Sequence, residues 1–143
     1  MLKEILSVSG KSGLFKLISQ GKNMFIVESL LDHKRLPVYM RDKVVSLKDV
    51  AIYTDAEEVP LSTVFNNIKE KEQGQAIAFN PSDAQPEELR AYFESVLPNF
   101  DKERVYPTDI KKMLNWYNLL VKEGLADFSE KEEENKEEEN KDL

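Results

Sequence analysis

The chain has 143 residues and a formal net charge of -7, from 20 Lys plus Arg against 27 Asp plus Glu. The acidity is local: residues 127–143 (DFSEKEEENKEEENKDL) hold nine acids and three lysines, which leaves residues 1–126 at -1. There is no cysteine, which excludes disulfides, thiol catalysis, zinc fingers and iron–sulfur ligation. The N-terminus MLKEILSVSG is too short and polar for a signal peptide, and no apolar run approaches the roughly 18 residues of a membrane span. A cytoplasmic protein without a membrane segment is the expectation.

Residues 5–54 read as β structure. Ile5–Ser9 closes on Gly10-Lys11-Ser12-Gly13, Leu14–Gln20 on Gly21-Lys22-Asn23, and Met24–Leu30 on Leu31-Asp32-His33-Lys34. Glycine and asparagine tolerate positive φ, so these are hairpin positions. Arg35–Met40 and Val50–Tyr53 are two further short runs, and Pro37, which cannot donate to a ladder, marks an edge or a bulge. Several of the runs are apolar on both faces, as in a sheet that curls on itself or is covered by helices. Five short strands in about 50 residues fit a small SH3-like β-barrel or a curved antiparallel sheet.

Three helices follow. Pro60 opens the first, Leu61, Val64, Phe65 and Ile68 form its apolar stripe, and Gly74 ends it. Gln75–Asp83 is a connector in which Ile77 and Phe79 alternate as in a strand. The second helix runs from Pro86 on a stripe of Leu89, Tyr92, Phe93, Val96 and Leu97, and stops at Pro98-Asn99. The loop Pro98–Pro107 carries Phe100, Val105 and Tyr106, so it packs on the body. The last helix starts at Thr108 as N-cap and ends at Gly124.

The last helix has an unusually broad apolar arc. Ile110, Met113, Leu114, Tyr117, Leu120 and Val121 cover about 120° of the wheel, and Trp116 with Leu119 widen this to roughly 220°. Lys111, Asn115, Asn118 and Lys122 form the opposite polar face, which reads as solvated. From about Ser129 the chain repeats KEEEN with no apolar stripe, which predicts disorder.

The fold class is therefore α+β, a small barrel or curved sheet followed by a helix and an antiparallel helix pair. Residues 1–73 form a β-rich part with its closing helix, 74–126 a helical part sharing the same core, and 127–143 an acidic tail. The strings LSVSGKSGLFKLISQGKNMFIVESL, VAIYTDAEEVPL and RVYPTDIKKMLNWYNLL resemble a conserved bacterial domain family of unknown function over residues 1–126. The resemblance implies a small α+β protein and carries no activity, cofactor or site residue.

Catalytic patterns are sparse. Gly10-Lys11-Ser12 matches the end of a phosphate-binding loop, but that motif requires glycine at position 5, where this chain has Ile5, and a helix after it, where strand follows. His33 is the single histidine and sits in a polar turn. Asp55, Glu57 and Glu58 lack the alternating ligands and glycine of a calcium loop. No catalytic residue, metal or cofactor is expected, and the protein is read as non-enzymatic.

Two binding readings remain. In the first, the last helix and the preceding loop dock a protein, a second copy of the chain included, through Trp116, Leu119, Phe100 and Tyr106, because the wide arc must be covered by something. In the second, residues 1–48, which carry a net +5, bind nucleic acid or a ribosome. Lys11, Lys16, Lys22, Lys34, Arg35, Arg41 and Lys43 at or near turns would be the contacts.

Overall fold

A computed structural model of the protein describes residues 4–11, 13–39 and 42–128. The expected disorder of the KEEEN repeats falls on residues outside these.

The first half is one antiparallel sheet of five strands in the order β4-β3-β2-β1-β5. The strands are β1 (Ile5–Val8), β2 (Phe15–Gly21), β3 (Met24–Ser29), β4 (Arg35–Tyr39) and β5 (Val44–Ser46). The barrel alternative is corrected, since β4 and β5 lie at opposite edges and the sheet stays open. Pro37 is on the edge strand β4, where a missing donor costs no ladder bond. Curvature replaces closure. Leu6, Val8, Phe15, Val27 and Val38 bury one another in a cluster drawn from strands alone, with Val27 and Val38 fully shielded. A register shift between Leu17 and Ser19 bulges β2 and helps bend it.

The other face of the sheet floors the main core. Ile5, Leu14 and Leu30 pack there with Leu47, Ile52 and the helices. The helices are α1 (Leu61–Lys71), α2 (Pro86–Val96) and α3 (Pro107–Lys122). Two short strands, β6 (Ala51–Ile52) and β7 (Val59–Pro60), pair just before α1. Pro60 is thus the N-cap of α1 and not its first helical residue. Leu61, Val64, Phe65 and Ile68 of α1 share a cluster with the stripes of α2 and α3, so one core spans both halves. Gly74 and Gly124 follow α1 and α3 with φ of 81° and 72°.

Three local expectations change. Gln75–Asp83 forms no strand, and a 3-10 turn at Pro81–Asp83 ends it. Thr108 is not the cap of α3. Pro107 takes the first helical position and Asp109 Oδ2 accepts from the Tyr106 N–H at 3.0 Å, which satisfies the cap residue's donor. The acidic tail does not begin at residue 127, because Phe128 is buried between Phe65 and Tyr117, with ring centroids 5.0 and 6.0 Å away. Asn66 Nδ2 donates to the Phe128 carbonyl at 3.1 Å. Burying that ring contributes about 2–3 kcal/mol, enough to hold the chain end to the core.

Candidate functional site

The two flanks of α3 meet different surroundings. Its central stripe is buried, with Ile110, Leu114, Tyr117 and Leu120 at 0% exposure. The polar flank is half-buried and partly engaged by the chain's own connector. Asn118 Oδ1 accepts from the Ile77 N–H at 2.8 Å, and Asn115 Nδ2 donates to Ser82 Oγ at 3.2 Å. These amides hold the connector between α1 and α2 against the helix; Asn118 is engaged in a part-buried bond, while Asn115 stays at the edge of the larger cleft and Lys122 is exposed, as a solvated face requires.

The apolar flank is only half covered. Trp116 and Leu119 pack on the rim of the core and remain partly exposed. Trp116 stands between two open clefts and lines both. The larger, about 750 Å³, lies between α3 and the β1–β2 turn. Its walls include Ser9, Gly10 and Lys11 from the turn, and Lys112, Asn115 and Leu119 from α3. The smaller, about 250 Å³, lies on the other side of Trp116, against Ile52, Tyr53, Arg104, Asp109 and Met113. Lys112 borders both clefts, with its Nζ 5.7 Å from the Trp116 ring centroid.

The turn that walls the larger cleft is fixed by packing. Leu30 N–H donates to the Leu14 carbonyl at 2.9 Å, so the β1–β2 and β3–β4 turns lie side by side. Gly13 has φ of 78°, and a Cβ there would come within 2.7 Å of the Leu31 side chain. Only glycine meets both conditions. Leu31 is then pressed toward the cleft, where it stays 54% exposed and adds an apolar wall.

The structure brings together residues that the sequence assigned to separate surfaces. Lys11, from the basic set, faces the same cleft as Trp116 and Leu119 from α3. Phe100, by contrast, is 3% exposed and stacks edge-on with Phe93 at 5.0 Å. It anchors its loop through a bridge to Thr54 and offers no surface. Tyr106 is 57% exposed at the start of α3.

The other basic residues do not join into one patch. Lys16 lies opposite Glu28, which lies opposite Arg35, so the row across β2, β3 and β4 alternates in sign. Arg35 Nε is 3.3 Å from Glu28 Oε1. Lys34 follows the β3–β4 turn, at the same end of the sheet as Lys11, and Lys43 is there too, its carbonyl accepting from the Ser9 N–H at 2.9 Å, whereas Lys22 sits at the opposite end. Arg41 lies outside the described residues. His33 is exposed as expected, yet its Nε2 is 3.0 Å from Glu123 Oε1 and ties the turn to the end of α3.

Lys112 is the lining residue that the helical wheel could have disclosed. At 100° per residue it falls between Leu119 and Trp116. It lies inside the apolar arc, so its charge interrupts that arc at the cleft.

The shifted ionisations sit away from the larger cleft. Burial, then the Glu72 carboxylate 2.6 Å from its hydroxyl, lifts the Tyr92 phenol far above its usual range. Burial likewise raises Tyr117, whose hydroxyl donates to the Gln75 carbonyl at 2.8 Å. Both are fixed donors inside the fold. Asp101 is held below the ordinary carboxylate value by its bond to Arg104, Nε to Oδ2 at 2.8 Å. That bond seats the Arg104 guanidinium over Tyr53, 4.3 Å from the ring centroid, at the smaller cleft. Among the described residues no group of three or more His, Asp or Glu is placed to hold a metal ion, and no helix is long and apolar enough to cross a membrane.

Fold and site together define a small α+β protein: an open curved sheet capped by three helices, the last flanked by two clefts. The chain belongs to a conserved family of unknown function, in which residues 2–47 match the Domain of unknown function (DUF5606) and residues 50–120 the Domain of unknown function (DUF6852). The junction between the matches falls at the 3-10 turn Leu47–Asp49, so α1 goes with the helical part. A Bacteroides vulgatus protein solved by solution NMR in a structural genomics programme is 56% identical. The match covers 90% of this chain and 91% of that one, with a TM-score of 0.74. Comparison with curated proteins finds no match.

Proposed function

We propose that the protein is a non-enzymatic binding module that docks another protein on the Trp116 flank of α3. One observation carries the reading: the half-buried Trp116 stands between two open clefts and lines both. A large amphipathic ring beside apolar walls, with polar groups around it, is the composition of an interface anchor. Exposed Leu31 and Tyr53 extend the surface at its two ends.

The alternative, nucleic-acid binding through the turns of residues 1–48, has weaker support. Lys22 lies at the far end of the sheet from Lys11, Lys34 and Lys43, and Glu28 interrupts the row between Lys16 and Arg35. Affinity for a polyanion grows with the number of phosphates neutralised together, and the separation of Lys22 and the Glu28 carboxylate beside Arg35 lower that number here.

Site-specific photocrosslinking separates the two. A benzophenone side chain at Leu119 is expected to form protein adducts in native lysate that survive nuclease, while the same group at Lys22 does not. Nuclease-sensitive adducts at Lys22, with none at Leu119, would overturn the reading.

A further inference from the structure

We propose that the larger cleft takes an acidic peptide segment that carries a large apolar side chain. This rests on the docking reading and names the chemistry of the partner. Three observations bear on it.

The first is charge. Lys11 and Lys112 both line this cleft, from opposite walls, and among the described residues no acid lines it with them. Among the described residues neither lysine is in an ion pair. Two unneutralised cations across an open cleft favour carboxylates between them, and the low dielectric of the walls strengthens the attraction.

The second is apolar shape. Leu31, Trp116 and Leu119 lie among those cations. A purely anionic ligand would leave this surface wet, so the occupant has to bring an apolar group as well.

The third is length and polarity along the surface. The clefts adjoin across Trp116 and Lys112, which border both. The site is therefore elongated, as an extended peptide is. Its far end sets Asp109 beside Arg104, so the charge there is mixed and the excess of cations lies at the Lys11 end. A peptide can place its acids at the Lys11 end only. This favours a peptide over a nucleic-acid strand.

The test uses the full-length chain and two short peptides with the same central Phe and Leu, one flanked by Asp and Glu, the other by Lys. Binding is read from the fluorescence of Trp116, the single tryptophan, and an oligothymidylate serves as the polyanion control. The acidic peptide is expected to bind at least about tenfold more tightly than the basic one. Lys112→Glu should reverse that order, and Lys11→Glu, on an independent element, should at least abolish it. Both lysines are exposed, and unchanged circular dichroism confirms folding.

Equal affinity for the two peptides, lost together in Leu119→Ala, would overturn the acidic assignment and leave the docking reading standing. Binding of neither peptide would also overturn it, the docking reading then resting on the crosslinks alone. Tighter binding of the oligothymidylate, undone by Lys11→Glu, would replace the peptide with a nucleic acid.

Discussion

The two flanks of α3 are buried to a similar degree but engaged differently. The asparagine flank is hydrogen-bonded to the connector that its amides hold, while Trp116 and Leu119 turn apolar surface onto open clefts. Half-burying a polar face costs little when each amide finds a partner. Leaving an apolar face half open has no such compensation within the chain, which points to a partner supplied from outside.

The largest expected effect falls on the floor beneath both flanks. Phe128→Ala removes a ring buried against Phe65 and Tyr117, and a loss of about 3–4 kcal/mol in denaturant unfolding is expected. Next comes the asparagine flank. Asn118→Ala strips the acceptor from the buried Ile77 N–H and should cost about 1–3 kcal/mol, with faster hydrogen exchange across residues 75–84. Trp116→Ala is expected to cost only about 1 kcal/mol in stability yet to weaken partner binding tenfold or more. If its stability loss matched that of Phe128→Ala, the flanks would not differ as described.

The smallest effect belongs to Asp101→Asn. Arg104 holds the Asp101 carboxyl below its ordinary value of 3.8. As pH falls the unfolded chain takes up that proton first, so the stabilisation is full at neutral pH and disappears below about pH 4. Thermal unfolding of the variant should therefore match the parent at low pH and differ slightly at pH 7. The freed Arg104 should alter the smaller cleft and leave the larger one unchanged.

Much of this comparison was legible in the residues. The glycines placed the hairpin turns, Pro37 marked an edge strand, and three apolar stripes gave the three helices near their observed bounds. What escaped has physical reasons. Val44–Ser46 is too short to show a strand period, and its pairing with β1 is non-local. Phe100 looked like a surface residue because it lies in a loop, but the loop pairs with Thr54 and turns the ring inward. Phe128 was hidden among acids, although it is the only aromatic residue beyond α3. The clefts themselves depend on how the β1–β2 turn meets α3, a long-range packing that no local pattern encodes. That is why Lys11 and Trp116 were assigned to rival surfaces.

The most direct test quenches Trp116 fluorescence in the native full-length protein with iodide and with caesium at matched ionic strength. An open cleft flanked by Lys11 and Lys112 predicts clear quenching, stronger for the anion than for the cation, with the difference removed in Lys112→Glu. A tryptophan that neither ion quenches, or that caesium quenches as well as iodide, would contradict an open, cation-lined site at the centre of the account.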